Sequence, residues 1–411
     1  YFFAMGNHHD NMDLWDSKYQ SWNSVNMGPK RNVLGEWEKA ARKNKLPFGV
    51  SIHSSHAWTW YETAQGADKK GPYAGISYDA RVVTKEDGKG KWWEGYDPQE
   101  LYVQNHALSG HAWVAWDWPE GTSVPPQSYY DNFFDRTVDM INKYHPDLVY
   151  FDDSVLPFWP INDTGLKVVS HYYNQNMKLH KGNLNAVVFG KKLEAKHKEA
   201  IVWDVEKGVP SECQDKAWQT CSCLGTWHYN RSAYEDNWYK SAETVIHMLI
   251  DIVSKNGNLL LSVPMKGNGT IDDKEEKILE DIAAWMEVNG EGIFDTRPWC
   301  IYGEGPSTET AIPLDGAGFN EGKNAPYTSA DIRFVKKGKY LYAHIMKWPS
   351  DGKIQIKSLA GSPYCKGEIE KVELLGGGKA KFRRTSKGLL IDLPKDKTPN
   401  PISLVLKITN R

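Results

Sequence analysis

The stretch Pro146-Asp147-Leu148-Val149-Tyr150-Phe151-Asp152-Asp153-Ser154 decides how the chain is read. A helix-spaced run from Tyr129 to Tyr144 leads into four consecutive apolar residues. These stop at two carboxylates and the loop-like Ser154-Val155-Leu156-Pro157. A short apolar run bounded by Pro and by charge is the pattern of a strand buried on both faces, as in parallel sheets covered by helices. Carboxylates at the C-terminal end of such a strand stand where barrel and open-sheet enzymes keep their chemistry. The competing reading of Asp152-Asp153 is a helix N-cap, a common place for Asp after a strand.

Working outward, the same alternation recurs. Tyr1 to Met5 reads as a strand running into Gly6-Asn7-His8-His9-Asp10. Two adjacent His and an Asp at a strand end are metal ligands, hydrogen-bond donors to a polar ligand, or a satisfied loop cluster. Asn32 to Lys45 carries Val33, Leu34, Trp37, Ala40 and Ala41 at helical spacing, and Pro47 to His53 is again a strand, completing a βαβ unit. From Ser54 to Gln127 the pattern breaks down. The stretch holds His56, Trp58, Trp60, Tyr61, Trp92, Trp93, Trp113, Trp116 and Trp118, an aromatic content that disfavours disorder and predicts an ordered insertion walling a cleft.

After Asp152 the spacing predicts a helix over Gly165 to Lys181 and strands over Ala186 to Phe189 and Ala200 to Trp203, the latter closing on Asp204-Val205-Glu206-Lys207-Gly208. A loop carries Trp218-Gln219-Thr220, and Cys221 to Tyr229 reads as a strand ending in Trp227-His228-Tyr229. Ser241 to Lys255 is an amphipathic helix with Val245, Met248, Leu249, Ile252 and Val253 on one face, capped by Asn256-Gly257. A buried strand, Asn258 to Val263, and a helix, Asp272 to Asn289, follow. About seven strands alternate with helices, which predicts a (β/α)8-type TIM barrel whose first strand is missing or upstream. Beyond Gly290 the apolar period changes to two, as in Tyr340-x-Tyr342-x-His344 and Ile402-x-Leu404-x-Leu406, which predicts an antiparallel β-sandwich. The expected domains are a barrel over 1–295 and a sandwich over 296–411.

Composition narrows the partners. Among 411 residues, 50 basic and 52 acidic side chains leave a formal charge of −2, which gives no footprint for nucleic acid or an anionic membrane. The 18 Trp and 21 Tyr include aromatic faces able to stack on sugar rings, although Trp also packs well in cores. The five cysteines, Cys213, Cys221, Cys223, Cys300 and Cys365, form no CxxC pair, so they read as buried thiols with room for one disulfide rather than as a zinc site. No apolar run is long enough to span a membrane. The chain starts inside an apolar strand, so an upstream segment is taken as removed or not shown; the expected location is periplasmic or secreted.

A pocket built from strand ends collects His8, His9, His53, Asp152, Glu206, Trp227 and His228. Gly267-Asn268-Gly269 lacks the Lys-Ser/Thr of a phosphate loop, and no G-x-S-x-G elbow is present. Two carboxylates beside an aromatic, His-rich pocket suit glycoside hydrolysis, with one carboxyl ionised and one held protonated. The rival is a metal-dependent hydrolase using His8, His9, His53 and Asp152, which a chelator would abolish.

His8-His9-Asp10 with Leu14-Trp15, Ser17-Lys18-Tyr19 and Trp22-Asn23-Ser24, then Phe48-Gly49-Val50-Ser51-x-His53, resembles glycoside hydrolase family 29, the retaining α-L-fucosidases. Pro146 to Asp152 looks like the nucleophile strand of that family. Trp218-Gln219-Thr220, Trp227-x-Tyr229-Asn230 and Asn256 to Leu261 look like its later barrel motifs, and Asn289 to Phe294 like its link to a C-terminal sandwich. The resemblance implies Asp152 as nucleophile and Glu206 as acid/base, since the alternative acid/base position holds Gln219. It implies sugar contacts from His8, His9, His53, Trp15, Lys207, Trp227 and His228, and no metal or other cofactor. Lys207 stands where many relatives have Arg, and Asn11 where most have Gly. The implied activity is exo-cleavage of terminal α-L-fucosyl residues from fucosylated oligosaccharides or glycoconjugates, with net retention. An α-L-galactosidase on the same scaffold and a non-catalytic sugar-binding relative are the neighbouring alternatives.

Overall fold

The computed structural model describes residues 1–66, 69–71, 74, 80–109, 116–315, 318–361, 364, 367–394 and 400–410. Trp113 of the aromatic stretch and Cys365 lie outside the described residues. The chain divides into two compact units, Tyr1–Trp203 and Asp204–Arg411.

In the first unit the predicted alternation is present. β1 (Phe2–Asn7) is followed by α1 (Val33–Lys43), whose N-cap Asn32 accepts the Gly35 amide at 2.8 Å. β2 (Phe48–Ile52) then pairs parallel to β1. The insertion forms short helices, including α2 (Ala57–Trp60) and α3 (Pro98–Tyr102), before α4 (Gln127–Tyr144). α4 ends with His145 in the left-handed conformation and Pro146 unable to continue the helix. β3 (Leu148–Phe151) is buried at every position, as its apolar run predicts. α5 (Thr164–Leu179) leads to β4 (Val187–Gly190), and β5 (Val202–Glu206) pairs with β4 through Val202 and Trp203. A core of Leu34, Phe48, Val50, Ile52, Phe133, Met140, Val149, Phe151 and Tyr172 lies among these elements. Burial of such side chains contributes about 1.5–3 kcal/mol each relative to exposure.

The second unit carries the rest of β5, β6 (Trp218–Cys223), α6 (Arg231–Glu235), α7 (Ala242–Ser254), β7 (Gly257–Ser262) and α8 (Asp273–Asn289). β6 and β7 run parallel, and the seven strands β1 to β7 are neighbours in chain order, the arrangement of a TIM-barrel-type sheet. Then come β8 (Arg297–Glu304), α9 (Pro306–Glu309), β9 (Ile332–Lys337), β10 (Tyr340–Ile345), β11 (Lys353–Ile356), β12 (Ile369–Leu374), β13 (Gly378–Lys379), β14 (Lys381–Thr385), β15 (Gly388–Asp392) and β16 (Leu404–Asn410). They form two antiparallel sheets, ordered β13-β12-β16-β10-β9-β8 and β11-β15-β14.

Several expectations are corrected. The sixth strand begins at Trp218 and ends at Cys223, so Trp218-Gln219-Thr220 is strand, while Trp227 and His228 sit in an exposed turn. Polar residues disguised this strand, yet all six positions are buried because Gln219 Nε2 donates to Asp204 at 2.8 Å and Thr220 Oγ1 to the Val205 carbonyl at 3.0 Å. β5 likewise extends through Glu206 instead of stopping at Trp203. On α7 the buried apolar face is Val245, Ile246, Ile250 and Ile252, with Met248, Leu249 and Val253 only partly covered. Asn256, not Gly257, takes the left-handed turn after α7, at φ 71°. Gly257 opens β7, where a β-carbon would lie 2.5 Å from the Trp218 ring. Cys221 and Cys223 are buried as expected, whereas Cys213 and Cys300 are exposed.

Candidate functional site

Four consecutive parallel strands of the first unit end at Asn7, Ile52, Phe151 and Gly190, and the next residues are His8-His9, His53, Asp152 and Lys191. Parallel register sets these residues side by side. Asn7, itself buried, ties two of the ends together. Its Oδ1 accepts the amides of His53 at 3.1 Å and Ser54 at 3.2 Å, and its Nδ2 donates to Asp13 at 2.9 Å. Asp13 is paired in turn with buried Arg136 at 2.6 Å. Asn11 also belongs to this support, since Arg136 donates to its Oδ1 at 2.6 Å. Its φ of 65° is a conformation that Gly and Asn both tolerate, which accounts for Asn where the resemblance leads one to expect Gly.

Asp152 is the centre of the cluster. Lys191 Nζ donates to its Oδ1 at 2.7 Å, while His53 Nδ1 and His9 Nε2 face its Oδ2 at 3.2 and 3.6 Å. The other nitrogens of the two rings are engaged, His9 Nδ1 with the His53 carbonyl at 2.9 Å and His53 Nε2 with the Ser51 hydroxyl. Burial pushes the Asp152 carboxyl up, but Lys191, His53 and His9 outweigh it and hold the group well below the usual carboxylate range. Burial also lowers the His53 imidazole against the opposing pull of Asp152, which favours its neutral form. Asp152 keeps 21% of its side chain exposed, so an ionised oxygen remains reachable.

The neighbouring carboxylate does a different job. Asp153 is buried and accepts from Ser55 Oγ at 2.6 Å and from the Ser154 amide at 3.0 Å, with His56 Nε2 at 3.2 Å. Neither carboxylate caps a helix, because α5 does not begin until Thr164. The insertion does wall this site: the Trp60 ring lies 4.6 Å from His9, and Trp116 lies 5.3 Å from His9 and 4.3 Å from His56. His8 completes the group, 4.4 Å from the His9 ring and 4.9 Å from that of His53.

The second unit holds the other predicted residues. Glu206 ends β5, and its carbonyl accepts the Phe319 amide at 2.8 Å while Gly318 bridges to it as a short parallel pair. Lys207 follows in the left-handed conformation, with its Nζ 5.0 Å from the Trp227 ring. Trp227 is 37% exposed and His228 is also exposed, whereas Gln219 is fully buried against Asp204. Trp15 is corrected as a sugar contact: it is fully buried in the first unit's core, with its indole nitrogen donating to Asp139 at 3.2 Å. Sequence reasoning missed Lys191 and Ser51, and it placed Trp60 in the cleft-walling insertion without singling it out. The signal for Lys191 was its place immediately after Gly190 at a strand end. A β-carbon at Gly190 would lie 2.4 Å from the Val155 carbonyl, so the loop after β3 packs directly against that end.

Comparison with known proteins agrees with this architecture. A family model described as "Alpha-L-fucosidase" matches residues 1–291, and one for the "Alpha-L-fucosidase C-terminal domain" matches residues 325–409. The tissue alpha-L-fucosidase of Macaca fascicularis is 23% identical over 423 residues, covering 98% of this chain and 70% of the relative. The plasma alpha-L-fucosidase of Rattus norvegicus is 25% identical over 418 residues, covering 96% and 70%. Among solved structures, the Thermotoga maritima alpha-fucosidase in complex with a mechanism-based inhibitor superposes with a TM-score of 0.66 at 23% identity, covering 99% of this chain and 75% of that one. Alpha-L-fucosidase isoenzyme 1 from Paenibacillus thiaminolyticus gives a TM-score of 0.65 at 19% identity, covering 100% and 83%. With both models matched in order along the chain, the protein belongs to the α-L-fucosidase family of glycoside hydrolases.

Proposed function

We propose that the protein is a retaining, exo-acting α-L-fucosidase in which Asp152 is the nucleophile and Glu206 the acid/base. The observation that carries this reading is the Asp152 carboxylate, held ionised by Lys191 on one oxygen and flanked by His9 and His53 on the other. An ionised, partly reachable carboxylate is what attack on an anomeric carbon requires. Asp152 forms the glycosyl-enzyme bond while Glu206 protonates the departing glycosidic oxygen. Glu206 then removes a proton from the water that displaces Asp152, giving net retention. Retention calls for a second carboxyl about 5–5.5 Å from the nucleophile, and Gln219 is unsuited because an amide is not an acid. His8, His9 and His53 offer polar nitrogens to ring hydroxyls, and Trp60 and Trp116 offer apolar faces beside them.

The test is hydrolysis of an aryl α-L-fucoside and of a fucosylated oligosaccharide, followed by proton NMR. The reading expects α-L-fucose as the first product from the non-reducing end. First appearance of the β-anomer, or cleavage of the matching α-L-galactoside in clear preference, would overturn it.

A further inference from the structure

We propose that His8, His9, His53 and Asp152 Oδ2 form an inhibitory site for a zinc-class divalent cation, filled in competition with substrate. This rests on the reading of Asp152 as nucleophile, since a metal on Oδ2 removes the attacking lone pair.

Geometry carries the inference. The three histidines each offer one ring nitrogen, all within 4.8 Å of one another, and they form the only such metal-ligating group found among the described residues. The second-nitrogen contacts already described leave His53 Nδ1 and His9 Nε2 facing one oxygen of Asp152, at 3.2 and 3.6 Å. A tetrahedral zinc site with bonds of about 2.0–2.2 Å has ligand-to-ligand edges of about 3.3–3.6 Å. Two edges of that tetrahedron therefore already exist. His8, only half-buried, supplies the fourth corner.

A second observation points the same way. His53 is 93% buried, from 7% exposure, and its Nδ1 faces Asp152 Oδ2 at 3.2 Å without the geometry of a full hydrogen bond. Buried polar atoms are seldom left so, and a cation between the two would satisfy both. Lys191 keeps to Oδ1 and helps hold the carboxylate ionised without occupying Oδ2. Three imidazoles and one carboxylate suit Zn²⁺ or Cu²⁺, whereas Mg²⁺ and Ca²⁺ require oxygen-rich shells.

The experiment uses untagged full-length chain, stripped with a chelator and dialysed. ZnCl₂ is titrated by calorimetry without substrate, and its effect on aryl α-L-fucoside hydrolysis is measured separately. One zinc per chain is expected, bound at least about tenfold more weakly by His53→Gln. Zinc should raise KM and leave kcat unchanged, chelator should restore activity, and equal Mg²⁺ should do nothing. Unchanged zinc binding in the His8→Gln/His53→Gln double variant, inhibition that lowers kcat alone, or loss of activity on chelation would overturn the proposal. Should the variants fail to fold by circular dichroism, displacement of zinc from the unmodified protein by L-fucose takes their place, and failure to displace it would also overturn the proposal. Because binding is measured without turnover, a zinc-binding chain inactive on fucosides would sink the fucosidase reading, and an active chain that ignores zinc would sink this one.

Discussion

Lys191 Nζ lies 2.7 Å from Asp152 Oδ1, a pairing made by residues just past the ends of adjacent parallel strands. It places the strongest counter-charge in the cluster on one oxygen and leaves the other facing the histidines.

Removing that charge should show in the pH profile. Lys191 lowers the Asp152 carboxyl, so Lys191→Met raises it, and the acid limb of kcat/KM moves to higher pH. Loss of one preorganised electrostatic partner should cost roughly 10²-fold or more in rate. Lys191→Arg, which keeps the charge, should restore the position of the limb. An unmoved acid limb in Lys191→Met would mean that another group controls it.

Glu206→Ala should slow substrates with poor leaving groups far more than activated aryl fucosides, because a good leaving group needs little protonation. The alkaline limb of the profile should flatten as well. Glu212, exposed in the following loop, is the nearest substitute. Intact oligosaccharide cleavage by Glu206→Ala, with cleavage abolished in Glu212→Ala, would transfer the role to Glu212.

Stability should carry a separate pH signature from Glu275, fully buried at the start of α8 with neither carboxyl oxygen hydrogen-bonded. Burial, with Asp272 beside it, pushes this carboxyl up from 4.5 to about 7. The folded state therefore holds a proton that the unfolded state releases, and stability falls as pH rises from 4.5 through 7. The difference, 7 − 4.5 = 2.5, corresponds to about 3 kcal/mol at most. Glu275→Gln should raise the melting temperature above pH 7 and leave it nearly unchanged near pH 4. A gain of equal size at both pH values would contradict this account.

The sequence was most legible where one physical signal acted alone. The four apolar residues Leu148 to Phe151 form a strand with no boundary error, and helix caps at Asn32, Ser241 and Asp272 fall where side-chain acceptors were available. It was least legible where tertiary partners overrode polarity. Gln219 and Thr220 looked like loop residues because Asp204 and the Val205 carbonyl, which satisfy them, lie about fifteen residues away in sequence. In the site, His8, His9, His53 and Asp152 were readable as residues following strands. Lys191 was not, because its strand is short and a lysine in a Lys-rich stretch looks like solvated surface until its partner is seen. Trp15 was misread for the opposite reason, since an indole near a His-His-Asp strand end and an indole in a core have the same letter.

Everything turns on which carboxylate attacks. The most direct measurement is inactivation with a 2-deoxy-2-fluoro-α-L-fucosyl-type slow substrate, followed by proteolysis and mass spectrometry of the labelled peptide. The account predicts a covalent fluorosugar on Asp152, with Asp152→Gly unlabelled, folded, slowed by several orders of magnitude and rescued by azide. A label on Asp153, whose carboxylate is instead committed to Ser55, Ser154 and His56, would contradict it.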